Sequence, residues 1–333
     1  MDAFLRGISY YLPEIAVSNE VLVGEFPEWD VDKIMAKVGI RNRYVTSKKE
    51  FTSDIATKAG RKLMEEYDIS PDTFDMLIVC TQSPDYFLPT TACIVQENLG
   101  LPTTVGAFDY NQGCSGYIYG LAMAKGFIAS GTAKNILLIT AETYSKHIHP
   151  LDKGNRSIFG DAASASWISA DKGFARIDHC VLGTDGRGAQ HLIVRNGGLR
   201  NPKNHQTVTN EEELKAAGDY LFMDGPEIFN FTLKAVPELL NRTLEKNNTE
   251  IASVDWVIFH QANKFMLDQL RKKMKIPEEK FLLFMENCGN TVSSTIPIVL
   301  KEQLAVNKFE SNNKVVLCGF GVGFSWGGTV LQF

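Results

Sequence analysis

Two pairs of short apolar runs recur along the chain at one fixed separation. The run FDMLIVCTQ, which begins at position 74, resembles VDWVIFHQA at position 254. The run KNILLITAE at position 134 likewise resembles KVVLCGFGV at position 314, so both pairs are 180 positions apart. Each run is short, apolar and rich in β-branched residues, as buried strands are. The pattern predicts buried β-strands that are related by an internal duplication, with chance similarity between buried strands as the alternative.

Helical periodicity follows both members of the first pair. In NKFMLDQLRKKM, one helical face carries apolar side chains, namely Phe265, Met266, Leu270 and Met274. Buried strands that alternate with such helices are typical of sheets covered by helices. The sequence therefore predicts an α/β protein with two similar halves.

The stretch VGAFDYNQGCSGYIYGLAMAKGFIASG predicts a strand, a sharp turn and a helix around Cys114. Gly113 and Gly116 permit a tight turn there. Unpaired N–H groups at the start of a helix would favour the thiolate and could also bind an oxyanion. A small cysteine packed against a glycine-rich bend is the structural alternative. The 180-residue offset carries Cys114 onto Ser294, where a second helix is predicted to begin.

Polar residues in the second half could complete a site with this cysteine. His260 directly follows an apolar strand, and ligands of α/β proteins bind at strand carboxyl ends. Asn290 lies in a Gly-Asn turn, where it could also serve only as a turn residue or helix cap. The late segment CGFGVGFSWGG lacks the lysine and Ser/Thr of a P-loop, and we expect it to present a backbone N–H to a carbonyl group.

Composition and charge narrow the class of protein. The 333 residues are 44% hydrophobic and 22% charged, which is ordinary for a globular enzyme. The net charge of −5 argues against nucleic acid as the main partner. No apolar run approaches the ~20 residues of a membrane span. The six cysteines form no C-x-x-C or zinc spacing. We expect a cytoplasmic protein with free thiols, no metal and no membrane association.

Taken together, the cysteine turn, HQAN, GNT and GFGVGFSWGG resemble the ketoacyl-ACP synthase III family of the thiolase superfamily. The resemblance extends from GISYYLP and GIRNRY to the closing GGTVLQF. It implies a thiolase-like fold, in which two duplicated βαβαβαββ halves form a five-layered αβαβα sandwich. We place the halves at residues 1–172 and 173–333. The family also implies a homodimer and acyl carrier protein as a partner.

The resemblance further implies a role for each site residue. Cys114 is similar to the acylated nucleophile, and His260 and Asn290 match the pair that binds the malonyl thioester carbonyl. The N–H groups of Cys114 and Val322 would form the oxyanion hole. The implied reaction is a decarboxylating Claisen condensation of an acyl primer with malonyl-ACP, in fatty acid or related biosynthesis. Coenzyme A or ACP thioesters are then substrates, and no cofactor is expected.

The resemblance and the charge pattern also suggest candidate binding residues. For substrate they are Leu88, Phe159, Asn263, Gly225, Lys37, Lys153 and Arg156, and for carrier-protein docking they are Lys264, Arg271, Lys272 and Lys273. Lys33 and Lys37 stand where many members have an aromatic residue and an arginine that hold coenzyme A, so ACP could be the primer donor. Leu88 is a gate for the acyl pocket or an ordinary core or interface residue. A solvated helix face is the alternative to docking.

Other activities remain open from the sequence. The same fold could transfer an acyl group to an amine or a hydroxyl without forming a carbon–carbon bond. A Cys/His/Asn hydrolase would instead release free acid. A non-catalytic partner subunit is less consistent with the sequence, because all three polar residues are present.

Overall fold

The chain alternates strands and helices along its length. The computed structural model describes residues 1–333, apart from the side chain of Lys215. The helices are α1 Asn19–Glu25, α2 Val31–Val38, α3 Thr52–Tyr67, α4 Thr91–Asn98, α5 Gly116–Ala129, α6 Lys153–Arg156, α7 Glu211–Ala216, α8 Gly225–Lys246, α9 Lys264–Lys273 and α10 Thr295–Ala305. The strands are β1 Phe4–Tyr11, β2 Ile15–Ser18, β3 Asn42–Val45, β4 Met76–Cys80, β5 Gly106–Tyr110, β6 Asn135–Glu142, β7 Ala162–Ser169, β8 Ala175–Ile177, β9 Val181–Thr184, β10 Leu192–Ile193, β11 Phe222–Met223, β12 Trp256–Phe259, β13 Lys314–Gly321 and β14 Ser325–Gln332.

The strand pairing repeats in the two halves. Strand β4 runs parallel to β6 with Met76 opposite Ile136, and β12 runs parallel to β13 with Trp256 opposite Val315. In both halves the next strand is antiparallel, since β7 pairs with β6 and β14 pairs with β13. The four strands predicted from the 180-residue offset therefore occupy equivalent places, and the predicted duplication is confirmed.

Helices α5 and α10 form the central layer of the molecule. They begin at equivalent places, position 116 and position 295. Helix α5 contacts β4 and β6 of the first half and also β13 and β14 of the second. Because it is covered on both sides, its side chains are apolar on most of its surface. The fully buried ones include Tyr117, Ile118, Leu121 and Ile128.

The outer layers are formed by the amphipathic helices of each half. Helix α3 packs on β1, β6 and β7, and α4 packs on β4 and β5. On the opposite side, α8 packs on β13 and β14 and contacts α9. These layers confirm the predicted five-layered αβαβα arrangement.

Strands β1 and β8 join the sheets of the two halves. Strand β1 pairs with β7 and with β8, which gives the strand order β12-β13-β14-β8-β1-β7-β6-β4-β5. The predicted boundary at residues 172 and 173 falls between β7 and β8, and it stays a prediction. Within the described residues, no helix is both long and apolar enough to cross a bilayer. The carboxyl ends of β5, β12 and β13 carry the segments that supply the site.

Candidate active site

Cys114 lies in the turn between β5 and α5, one residue before Ser115, the N-cap of α5. Only 6% of the surface of Cys114 is exposed to solvent. The contact between Gly116 and Cys80 explains why the sequence has small residues at this turn. A Cβ on Gly116 would collide with the sulfur of Cys80 at the end of β4. Glycine is therefore required for helix α5 to approach the sheet, and this approach places the thiol at the strand ends.

Burial dominates the ionisation of this thiol. It raises the pKa of Cys114 to about 12, and the nearby carboxyl group of Glu142 acts in the same direction. The backbone N–H groups of Cys114 and Val322 oppose this shift of the pKa. The sequence predicts a stabilised thiolate from the helix N-terminus, but loss of solvent outweighs the favourable N–H groups. The resting residue is a neutral thiol, with the two N–H groups predicted for the oxyanion hole beside it.

His260 continues the ladder of β12 and then turns its ring into the interior. Its backbone N–H donates to the carbonyl of Cys318 over 2.8 Å. Its ring packs edge-on against Phe320, and its Nδ1 lies 2.7 Å from the hydroxyl of Thr295. Burial lowers the pKa of His260 to about 3. The imidazole is therefore neutral at physiological pH, with one ring nitrogen that donates a hydrogen bond and one that accepts.

Asn290 is held by backbone groups on both sides. Its own N–H donates to the carbonyl of Ile158 over 2.9 Å. Its side-chain Oδ1 accepts a 2.9 Å hydrogen bond from the N–H of Val292, while Nδ2 lies 3.4 Å from the carbonyl of Ala262. Because the acceptor atom is occupied, the amide group offers its N–H side to a ligand.

Cys114, His260 and Asn290 line one cavity of about 460 Å³. Four of the predicted binding residues line it too, namely Lys37, Phe159, Gly225 and Asn263. Asn263 has a structural role as well, because its Oδ1 caps α9 by accepting from the N–H of Met266. The two halves of the chain thus bring a thiol, an imidazole and an amide group to one largely apolar cavity.

Two residues near the site were missed by the sequence reasoning. Glu142 is fully buried and accepts hydrogen bonds from the N–H of Gln82 and the hydroxyls of Ser83 and Ser293. Burial raises the pKa of this carboxyl group to about 8. The only sequence signal is a glutamate at the end of an apolar strand run. Through these hydrogen bonds, Glu142 connects the loop after β4 with the turn that precedes α10.

Val292 is the second residue that the sequence did not reveal. It has a φ of 55°, a left-handed conformation that is a genuine outlier for a β-branched residue. Such strain persists where the surrounding structure over-determines it, often at functional sites. Here the strained turn directs the N–H of Val292 at Asn290, so the strain is part of the site's geometry.

Comparisons with known proteins agree with this geometry. Residues 108–186 match the family model for 3-oxoacyl-[acyl-carrier-protein (ACP)] synthase III, and residues 244–333 match that for its C-terminal part. The chain is 36% identical to a beta-ketoacyl-[acyl-carrier-protein] synthase III of Clostridium perfringens, over 99% of each chain. The chain belongs to the 3-oxoacyl-ACP synthase III family.

Solved structures of this synthase family share the whole fold. A 2.1 Å crystal structure of a 3-oxoacyl-(acyl-carrier-protein) synthase III is 46% identical and superposes with a TM-score of 0.96, covering 100% of both chains. A synthase from Burkholderia xenovorans is 36% identical, with a TM-score of 0.91, and covers 100% of this chain and 94% of its own. The thiolase-like architecture is therefore that of the synthase III family.

Two of the predicted substrate-binding cations, Lys153 and Arg156, are paired with carboxylates. Lys153 Nζ lies 2.8 Å from Glu28 and 2.6 Å from Glu211. Arg156 bonds Glu25 over 2.7 Å and 3.0 Å. Lys153 and Glu211 line a second cavity of about 500 Å³ that shares Met223, Gly225 and Pro226 with the first. A phosphate at this cavity would have to displace carboxylates, and the binding role of both cations stays a prediction.

The remaining predicted residues lie outside the catalytic cavity. Leu88 is 82% exposed. In the predicted docking patch, Lys264 pairs with Asp268 over 2.6 Å and Arg271 pairs with Glu278 over 3.0 Å. Lys272 and Lys273 are exposed. Carrier-protein docking at this patch stays a prediction. Lys272 and Lys273 are the exposed positive charges that would attract an acidic partner.

Gly321 is the position where a minimal change would disturb the nucleophile most directly. A Cβ at this residue would lie 2.9 Å from both the Cβ and the Sγ of Cys114. Gly321→Ala should therefore displace the sulfur and slow acylation of Cys114 roughly tenfold or more, the effect of about 1.4 kcal/mol on the barrier. Intact-mass measurements against time with an acyl thioester would follow the reaction.

Gly126→Ala in α5 is the matched control, because its added Cβ meets no atom within 4 Å. It should acylate like the unmodified protein and be slightly more stable, by up to about 1 kcal/mol. Thermal melts should show that both variants fold. Normal acylation of a folded Gly321→Ala protein would contradict the tight fit at the nucleophile.

Proposed function

We propose that this chain is an acyltransferase of the β-ketoacyl-ACP synthase III type. It joins an acyl primer to malonyl-ACP by a decarboxylating Claisen condensation, in fatty acid or related biosynthesis. The observation that carries the proposal is the single cavity lined by Cys114, His260 and Asn290. Family membership supports the same reaction, because the relatives bear that activity in their names.

The first half-reaction transfers the primer to the enzyme. The sulfur of Cys114 attacks the thioester carbonyl, and the bond to the departing thiol breaks. The N–H groups of Cys114 and Val322, which lie beside the sulfur, hold the oxygen of the tetrahedral intermediate. The thiol proton of Cys114 leaves on the departing thiol. This step yields an acyl-cysteine inside the cavity.

The second half-reaction forms the carbon–carbon bond. Loss of CO₂ from the malonyl group leaves an enolate, whose thioester oxygen accepts hydrogen bonds from His260 and Asn290. Each preorganised donor in such a site lowers the barrier by about 3–4 kcal/mol. The enolate carbon attacks the acyl-cysteine carbonyl, and the Cys114 sulfur leaves as a thiolate that takes up one proton from solvent. Decarboxylation generates the carbanion, so no strong base is required.

A reaction with an acyl donor and malonyl-ACP tests this function. Cys114→Ala should abolish acylation, as seen by intact mass. His260→Ala should still be acylated but release CO₂ about 10²–10³-fold more slowly, as after loss of an oxyanion donor. His179→Ala, at an exposed histidine whose hydrogen bonds come from its backbone, is the control and should behave normally.

The products separate the competing activities. An acylated Cys114 that yields neither CO₂ nor a β-ketoacyl thioester would refute the condensation and favour acyl transfer to an amine or a hydroxyl. Free acid without any need for malonate would indicate a thioester hydrolase.

We further propose that two copies of the chain associate along the edge formed by β5. Three consecutive apolar side chains in the loop after β4 are strongly exposed, namely Tyr86, Phe87 and Leu88. Strand β5 ends the strand order of the sheet and pairs with β4 on one side. Exposed apolar loops and free sheet edges are features that proteins cover by association. Leu88 would then reach the acyl pocket of the second copy.

Leu88→Asp should weaken this association by placing a charge in the apolar contact. Light scattering coupled to size exclusion should show a dimer for the unmodified chain and a shift toward monomer for the variant. Leu199→Asp, at a leucine that is 97% exposed, is the control and should stay dimeric. A monomeric unmodified chain, or a variant that dimerises equally well, would refute the proposed contact.

The charges around the second cavity support a carrier protein as the primer donor. Glu28 and Glu211 flank Lys153, and they would repel the roughly four negative charges of a coenzyme A head group. Exposed ion pairs contribute at most about 1 kcal/mol each, so the discrimination is moderate. The pantetheine arm, common to both donors, would extend from the catalytic cavity.

Glu28→Gln/Glu211→Gln should therefore raise the kcat/KM for acylation by acyl-CoA about three- to tenfold. Acylation by acyl-pantetheine, which lacks the nucleotide, should stay unchanged. Glu65→Gln/Glu279→Gln removes the same charge at two exposed glutamates and is the control. An unmodified protein that uses acyl-CoA more than tenfold better than acyl-pantetheine would show that the nucleotide is recognised.

A further inference from the structure

A buried hydroxyl group contacts the catalytic histidine on the side away from the substrate. Thr295, the first residue of α10, is 3% exposed, and its Oγ1 lies 2.7 Å from Nδ1 of His260. The same Oγ1 lies 3.1 Å from the carbonyl oxygen of Val292. The contact to Nδ1 leaves Nε2 as the ring nitrogen available to the cavity.

The hydroxyl group has one hydrogen and two neighbours that could accept it. If it donates to Nδ1, the single proton of the neutral imidazole resides on Nε2. If it donates to Val292 instead, Nδ1 keeps the proton and Nε2 presents a lone pair to the cavity. The position of one hydrogen thus decides whether His260 is a donor or an acceptor toward substrate.

We propose that Thr295 is a positioning residue, whose hydroxyl donates to Nδ1 of His260 and so keeps the imidazole proton on Nε2. The 2.7 Å separation favours this direction, because hydroxyl donors usually bond over about 2.7–2.8 Å, whereas N–H donors to oxygen usually bond over about 2.9–3.0 Å. The enolate of the proposed function, on which the catalytic consequence rests, requires the same arrangement, because a lone pair on Nε2 would repel its oxygen. The adjacent turn orients the other donor, since the N–H of Val292 holds Oδ1 of Asn290.

Nitrogen-15 NMR of histidine-labelled protein tests the tautomer directly, because protonated and unprotonated ring nitrogens resonate far apart. The His260→Ala spectrum assigns the signal among the six histidines. We expect Nε2–H in the unmodified protein and in Thr295→Ser, and a mixture of tautomers in Thr295→Val. A proton on Nδ1 in the unmodified protein would overturn the proposal.

Kinetics provide a second readout that a purely structural role would not produce. Thr295→Val, which keeps the side-chain shape, should lower malonyl-ACP decarboxylation roughly ten- to a hundredfold, the scale for losing a group that orients a catalytic histidine. Acylation of Cys114 should change by less than about twofold, and Thr295→Ser should restore decarboxylation to within about threefold.

The outcomes separate this proposal from the proposed function. Equal losses of acylation and decarboxylation, or normal decarboxylation by Thr295→Val, would overturn the positioning role. An unmodified protein that releases no CO₂ would instead refute the condensation, while the NMR spectra would still decide the tautomer. Thermal melts of both Thr295 variants check that they fold.

Discussion

Burial of Cys114, His260 and Asn290 in one cavity between the two halves is the constraint on which the site depends. Burial disfavours charge, and it leaves Cys114 a thiol and His260 a neutral imidazole. An enzyme built this way cannot rely on a preformed ion pair. It must act through neutral hydrogen-bond donors, whose strength increases in a dry environment. Decarboxylation suits that environment, because the substrate itself supplies the electron pair for the new bond.

A buried site of neutral donors works only if each polar atom has a defined partner. The turn from Gly289 to Thr295 meets this requirement with few residues. Its backbone holds the side chain of Asn290, and its last hydroxyl contacts His260. The left-handed Val292 lies between them, at a conformation that costs of order 1–3 kcal/mol. Packing of the surrounding core offsets the free-energy cost of this conformation. The side chains of His260 and Asn290 are thereby held in fixed positions relative to the sulfur of Cys114.

The duplication also shows how equivalent positions have diverged. Helix α5 begins beside Cys114, the proposed nucleophile, and α10 begins at the equivalent place beside Ser294. That serine is fully buried, lies 2.7 Å from the hydroxyl of Thr140, and donates to the carbonyl of Thr140 over 3.1 Å. These hydrogen bonds connect the second half of the chain to strand β6 of the first half. One helix start therefore carries the proposed nucleophile, while its counterpart holds the two halves together.

The sequence by itself determined the duplication and the α/β class, because strand periodicity and turn signals are local properties of the chain. The resemblance of its motifs to the synthase III family indicated Cys114, His260 and Asn290 as candidate catalytic residues. The sequence could not determine the neutral state of the cysteine, since desolvation depends on residues far along the chain. Nor could it identify Glu142 and Thr295, whose importance arises from contacts with residues far along the chain, or the left-handed backbone of Val292. The sequence also did not reveal that carboxylates flank Lys153. Only the tertiary structure decided these features, because burial and hydrogen-bond partners are set by packing between distant segments.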